Sequence, residues 1–214
     1  MWSVAPLDIC GGLLRLTREK PVTDEKKPRR RPRSDGQRNR ETLLNVAKTA
    51  FTGGEVDIPL DEVARRAGVG IGTLYRHFPN RDALIAAVYR AELDQLADAA
   101  PVLAARHRPV DALRAWMRLF VDYIAAKQMI APALNGLVGG TSALYAQSGT
   151  VLQNAIDGLV AAAVASGEIS ADIEPLDLLR ALAGVSNYSA GPGWETSAKR
   201  LVDILIAGSR ASAP

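Results

Sequence analysis

The chain has 214 residues, 48% of them hydrophobic and 23% charged, which excludes a wholly disordered protein and leaves room for one large domain or two small ones. Its apolar runs, such as 159–165, fall far short of the roughly 20 residues of a membrane span, and the apolar stretch near the start follows Asp8 without the basic lead of a signal peptide. A single cysteine, Cys10, excludes an internal disulfide and a cysteine-based zinc cluster, so a cytoplasmic protein without cofactor or membrane partner is expected.

The net charge of +3 is unevenly spread. Residues 1–90 hold 17 Lys and Arg against 11 Asp and Glu, whereas residues 91–214 hold 9 against 12. A basic half that meets a polyanion and a more acidic half with another task is the simplest reading.

Residues 1–36 contain Pro6, Pro21, Pro28 and Pro32, together with the run Lys26-Lys27-Pro28-Arg29-Arg30-Arg31-Pro32-Arg33. Proline and like-charge repulsion both oppose a packed core, so a disordered basic arm is expected, either solvated or reaching into a minor groove. Residues 37–80 read as a compact helical unit. Leu43, Leu44, Ala47, Ala50 and Phe51 recur at three- and four-residue spacing and define one helix, closed by Gly53-Gly54. Pro59 opens a second helix with Leu60, Val63, Ala64 and Ala67 on its inner face; Gly68 breaks it, and Ile71, Leu74 and Phe78 start a third. Two short helices about a glycine turn, braced by a helix before them, form a helix-turn-helix.

Residues 81–214 read as a larger helical domain. Asn80 caps a helix through Leu84, Ile85, Val88, Tyr89, Leu93 and Leu96, with Pro101 as its expected limit. Further helices are expected over 109–127, 130–137, 142–166, 175–187 and 194–209, the last two parted by Gly191-Pro192-Gly193. With no alternating pattern of useful length, the fold class is all-α.

The stretch from Leu60 to Phe78 carries the clearest chemistry. Leu74 and Phe78, four apart, point into the bundle, while Thr73, Tyr75, Arg76 and His77 fall mostly on other faces. A helix entering a major groove needs small residues at its leading end, which Gly70 and Gly72 supply. It also needs hydroxyl, imidazole or guanidinium groups for phosphates and base edges, which Thr73, Tyr75, Arg76 and His77 supply. The string Gly72-Thr73-Leu74-Tyr75-Arg76-His77-Phe78, followed by Asn80-Arg81 and Leu84, resembles the tetracycline-repressor (TetR) family of bacterial regulators over about residues 40–88.

The resemblance implies a homodimer with a three-helix DNA-binding domain and a helical effector domain in each subunit, in a family whose members mostly repress transcription and release DNA when a small molecule binds. By the same resemblance, Gly70, Thr73, Tyr75 and His77 stand at recognition-helix contacts, with Tyr75 and His77 on phosphates. Arg81 stands where the family commonly has a phosphate-binding lysine. Gly70 departs from a frequent serine, which removes a hydroxyl from that position, and Leu60 stands near a DNA-contacting threonine of some members. Arg38, Arg40, Arg65 and Arg66 are weaker phosphate candidates that also read as a solvated helix face.

Catalysis finds no footing. His77 and His107 are the only histidines, neither near a cysteine or paired carboxylates at ligand spacing. Gly68, Gly70 and Gly72 lack the preceding strand and following lysine of a phosphate loop. In the second half, Trp116, Phe120, Tyr123, Met129 and Tyr145, with Gln147, Asn154 and Asn187, are candidates to line a pocket for an unknown small molecule, although residues at helical spacing are more often plain core. The interior carries few charges, which argues against a strongly ionic ligand. Leu176, Leu178, Leu179, Leu182 and Val185, with Leu201, Ile204, Leu205 and Ile206, make the last two helices the dimer candidates. A regulator of double-stranded DNA acting on a palindromic operator is therefore expected. The alternative is a helical carrier or scaffold whose DNA-binding unit is vestigial.

Overall fold

A computed structural model of the chain describes residues 32–210, apart from 189, 190 and 192. Eight α-helices follow one another: α1 Pro32–Thr52, α2 Leu60–Ala67, α3 Ile71–His77, α4 Arg81–Arg106, α5 Pro109–Asn135, α6 Ser142–Ala165, α7 Pro175–Tyr188 and α8 Trp194–Gly208. Among the described residues the β contact is a single bridge between Ile169 and Arg210, which ties the α6–α7 loop to the end of α8. The all-α expectation holds.

Most of the basic arm expected over 1–36 lies outside the described residues, but 32–36 are helical. α1 is described from Pro32, ahead of the expected start.

The small domain folds as the apolar spacing requires. Leu43, Ala47, Ala50 and Phe51 of α1 are buried against Val63 and Ala64 of α2, Leu74 of α3 and Phe78. Each large side chain there contributes about 1.5–3 kcal/mol on burial. Gly68 caps α2 in the left-handed conformation, φ 64°, which glycine adopts without a Cβ penalty. It lets Val69 N–H return to the Ala64 carbonyl at 3.0 Å, turning the chain sharply into α3.

Two expected breaks are absent. α4 runs through Pro101 to Arg106, and α5 runs through Pro132 to Asn135, fusing the segments expected over 109–127 and 130–137. Each proline removes one helical hydrogen bond. Both are exposed, while the adjacent Ala100 and Ala133 are buried. The lost bond thus falls on the face that meets water, and burial of the opposite face keeps the helix continuous.

α5 is the centre of the larger domain, packing on α4, α6, α7 and α8 and also reaching α1. Trp116 is fully buried and donates its indole N–H to the Leu96 carbonyl at 2.8 Å, pinning α5 to α4. None of the helices described is long and apolar enough to cross a membrane.

Candidate nucleic-acid interface and effector cavity

α3 has seven residues and cannot persist alone. Its inner side is held by fully buried Leu74 and by Phe78 just beyond it. Its start is closed by the Gly70 carbonyl, which accepts the N–H groups of Thr73 at 2.8 Å and Leu74 at 3.1 Å. Gly70 and Gly72 have open space where a Cβ would stand, so nothing in the protein itself demands glycine there. The freedom they supply faces outward.

That outward face carries Ile71, 44% exposed, and Tyr75, 51% exposed, with Arg76 exposed between Tyr75 and half-buried His77. Arg76 donates to the Thr73 hydroxyl at 3.0 Å and to the Gly72 carbonyl at 3.2 Å, which lays its guanidinium along the helix. α3 contains no acidic residue. Ile71 was not singled out by sequence reasoning because its spacing to Leu74 and Phe78 marks it as core; at the first position of a short helix it stands clear of the bundle instead.

Arg81 has structural work. Its guanidinium donates to the Ile58 carbonyl at 2.6 Å, lies 5.9 Å from the centre of the Phe51 ring and 3.8 Å from the Asp57 carboxylate. It thereby clamps the α1–α2 loop to the start of α4, whose first turn is capped by Asn80 accepting Ala83 N–H at 2.8 Å. Arg65 and Arg66 are also engaged. Both donate to Glu62, and Arg66 reaches Glu55 as well, at 2.7–2.9 Å. These bonds, Arg65 first, hold the Glu62 carboxyl down to about 2. Arg40 lies 5.5 Å from the Phe78 ring centre.

The larger domain carries a partly open cavity of about 350 Å³. Phe120 and Tyr123 of α5 and Tyr145 of α6 line it, as expected, and so does Asn187. The other nominated residues lie elsewhere. Trp116 stacks behind Phe120, ring centres 6.0 Å apart, and does not reach the cavity. Met129 is exposed on the outer side of α5. Asn154 lines a separate, open groove between α4 and α6.

Further lining residues escaped sequence reasoning, among them Tyr89, Ser148 and Lys127. Tyr123 donates to the Tyr89 hydroxyl at 3.0 Å, Tyr89 lies 2.7 Å from Ser148 Oγ, and Ser148 donates to the Leu144 carbonyl at 2.7 Å. Burial, above all, pushes the Tyr123 phenol well above its ordinary range, so it stays neutral. Lys127 is half-buried, with Nζ 4.1 Å over the Tyr145 ring centre. Desolvation lowers its ammonium below the ordinary lysine value. A sequence signal existed for it: Phe120, Ile124, Lys127 and Ala131 share one helical stripe, so a charge stands within an apolar face.

Comparison with known proteins agrees with this arrangement. Residues 43–88 match the family model of bacterial regulatory proteins of the tetR family, and residues 108–211 match the C-terminal domain of SbtR-like transcriptional regulators. The crystal structure of the TetR transcriptional regulator SCO0520 from Streptomyces coelicolor is 43% identical with a TM-score of 0.71, covering 81% of this chain and 99% of that one. The TetR transcription regulatory protein from Mycobacterium vanbaalenii is 33% identical with a TM-score of 0.68, covering 84% of this chain and 99% of that one. The HTH-type transcriptional regulator SAR0097 of Staphylococcus aureus is 36% identical over 73 residues, 33% of this chain and 38% of that protein. This chain thus matches well under half the length of that curated relative. With a helix-turn-helix at one end, an SbtR-like helical domain at the other and near-complete coverage of a solved relative, the chain belongs to the TetR family of DNA-binding transcriptional regulators, which are not enzymes.

Proposed function

We propose that the protein is a homodimeric, cytoplasmic repressor that holds a palindromic operator through α3 and lets go when a small molecule fills the cavity beside Tyr123. The observation that carries the reading is the outward face of α3. It is free of acids, led by two glycines that no internal contact requires, and bears Tyr75 and Arg76 in the open. Tyr75 and His77 serve phosphates, while Thr73 and Arg76 read polar base edges. Ile71 supplies an apolar contact of the kind that suits a thymine methyl group.

The dimer is proposed through α7 and α8. Leu178, Leu179, Leu182 and Ile206 are spent on the protomer's own core. Leu176, Val185, Leu201 and Leu205 remain part-exposed and Ile204 is 66% exposed, which leaves an apolar strip for a second copy. Two copies about a two-fold axis present two α3 helices to half-sites about one helical turn apart. A ligand shifts that spacing only by binding one dimer state more tightly than the other.

The test is a titration of the protein against its own upstream intergenic DNA, with an unrelated duplex as competitor, at two salt concentrations. Tight, competitor-resistant binding at a palindrome, weakening steeply with salt, is expected. Weak binding equal on both duplexes overturns the assignment for that site and favours a ligand carrier.

A further inference from the structure

Resting on the effector reading above, we propose that the cavity takes a compact molecule with a flat apolar body and an anionic end, the anion seated on Lys127 and a hydroxyl or N–H of the molecule donating to Tyr123.

The walls set the body. Tyr89, Phe120, Tyr123 and Tyr145 contribute rings, with Tyr89 and Tyr145 edge to face at 5.7 Å and Phe120 stacked on Tyr123 at 6.2 Å. Ring faces and edges of this kind favour a planar guest. At about 350 Å³ the space lies near the low end of ligand pockets, which run from roughly 300 to 1,000 Å³, so one or two rings fit and a long chain does not.

The charge is set by Lys127. The described residues contain three lysines, and the other two are paired, Lys48 with Glu92 at 2.7 Å and Lys199 with Asp122 at 2.5 Å. Lys127 has no carboxylate within ion-pair reach among the described residues, and no Asp or Glu lines the cavity. Its neighbour is the face of Tyr145, which offsets part of the lost hydration. An ammonium in that position gains from an anion that completes its coordination. An anionic end runs against the expectation, drawn from sparse interior charge, that the ligand is not strongly ionic.

The second polar contact, one helical turn from Lys127 on α5, is set by the direction of the hydroxyl relay. The Leu144 carbonyl can only accept, so it takes the Ser148 proton. Ser148 therefore accepts from Tyr89, and Tyr89 accepts from Tyr123. Every proton points away from Tyr123, whose oxygen has spent its hydrogen and retains an acceptor site. The relay thus serves a ligand donor and cannot serve a second anion.

The experiment is calorimetric titration of the full-length protein with ortho-, meta- and para-hydroxybenzoate, each beside its neutral hydroxybenzamide. The best-bound carboxylate is expected to exceed its amide by about tenfold in affinity. Lys127→Met, which removes the charge and keeps the length, should bring that pair to within about twofold by weakening the carboxylate alone. Circular dichroism and an unchanged or raised melting temperature establish that the variant is folded. Equal affinity in every pair, no detectable binding of any carboxylate, or a preference that survives Lys127→Met overturns the proposal. Operator release is read separately. An anion that binds through Lys127 but leaves DNA bound upholds the cavity's chemistry and defeats the effector reading. An anion that releases DNA from wild type and Lys127→Met alike does the reverse.

Discussion

The carboxylate of Asp82 accepts the backbone N–H of Val138 at 3.1 Å, linking the first turn of α4 to the α5–α6 loop. The residue before it, Arg81, grips the α1–α2 loop through Ile58. Adjacent positions on one helix thus hold the DNA-binding unit on one side and the α5–α6 loop of the larger domain on the other. Val138 is 91% exposed, so its side chain does little to fix the loop and the backbone bond does more. Asp82→Ala should therefore speed hydrogen exchange at the Val138 amide while leaving exchange in the buried part of α5 unchanged. Operator affinity should stay within about threefold, and release by a bound effector should be blunted.

Tyr75→Phe removes a hydroxyl with no partner among the described residues, so the melting temperature should not move. Operator affinity should fall by about tenfold, since the proposed dimer loses two contacts of roughly 0.5–1.5 kcal/mol each. His77→Ala should act in the same direction. Retained affinity in both folded variants removes the phosphate contacts assigned to these side chains.

Arg81→Ala distinguishes bracing from direct contact. Loss of the Ile58 bond, partly screened by solvent, should lower stability by about 1–2 kcal/mol, read as a shift in urea midpoint at constant slope. If Arg81 acts by bracing, DNA affinity falls while the salt dependence of binding is unchanged. A salt slope reduced by about two, one for each subunit of the proposed dimer, would instead put the guanidinium on a phosphate.

Burial makes the hydroxyl relay costly to interrupt. Tyr89 is 1% exposed, and Tyr89→Phe strands both the Tyr123 proton and the Ser148 lone pair. A loss of about 1–2 kcal/mol in chemical denaturation is expected. Ser148→Ala, which strands one proton, should cost less.

The clasp of Glu62 with Arg65 and Arg66 has a defined pH window. The folded carboxyl titrates near 2, below its ordinary 4.5, because it accepts from Arg65 and then Arg66. A depressed folded value means the contribution is complete above the unfolded value and is lost as pH falls through the folded one. The difference in melting temperature between wild type and Glu62→Gln should be constant above about pH 5, narrow below it and vanish near pH 2. High salt should shrink it throughout, because the pair lies at the surface.

The small domain was legible because its signals are local. Gly68 marks a left-handed cap, Pro59 a start, and Leu74 and Phe78 a four-residue step, and none needs knowledge of distant packing. Pro101 and the expected gap between 127 and 130 misled for the opposite reason. Whether a helix ends there depends on which face meets water, and that is decided by α5 and its neighbours. The cavity was half legible. Aromatic residues on the α5 stripe pointed towards it, but Trp116 and Met129 differ from Phe120 and Tyr123 only by helical phase against other elements. Tyr89, Ser148 and Leu144 meet across two helices, so no spacing in the chain announces them.

Continuity of α4 from Arg81 to Arg106 limits how far this regulator can be taken apart. Leu84, Ile85 and Val88 are buried in the same core as Phe51 and Phe78, and Lys48 of α1 is paired with Glu92. A fragment ending before α4 would leave those apolar surfaces uncovered and should aggregate instead of reading DNA. Chimaeras that borrow this operator specificity must carry the chain past Glu92 before the splice. The acceptor must then supply its own α5, because α1 rests on that helix too.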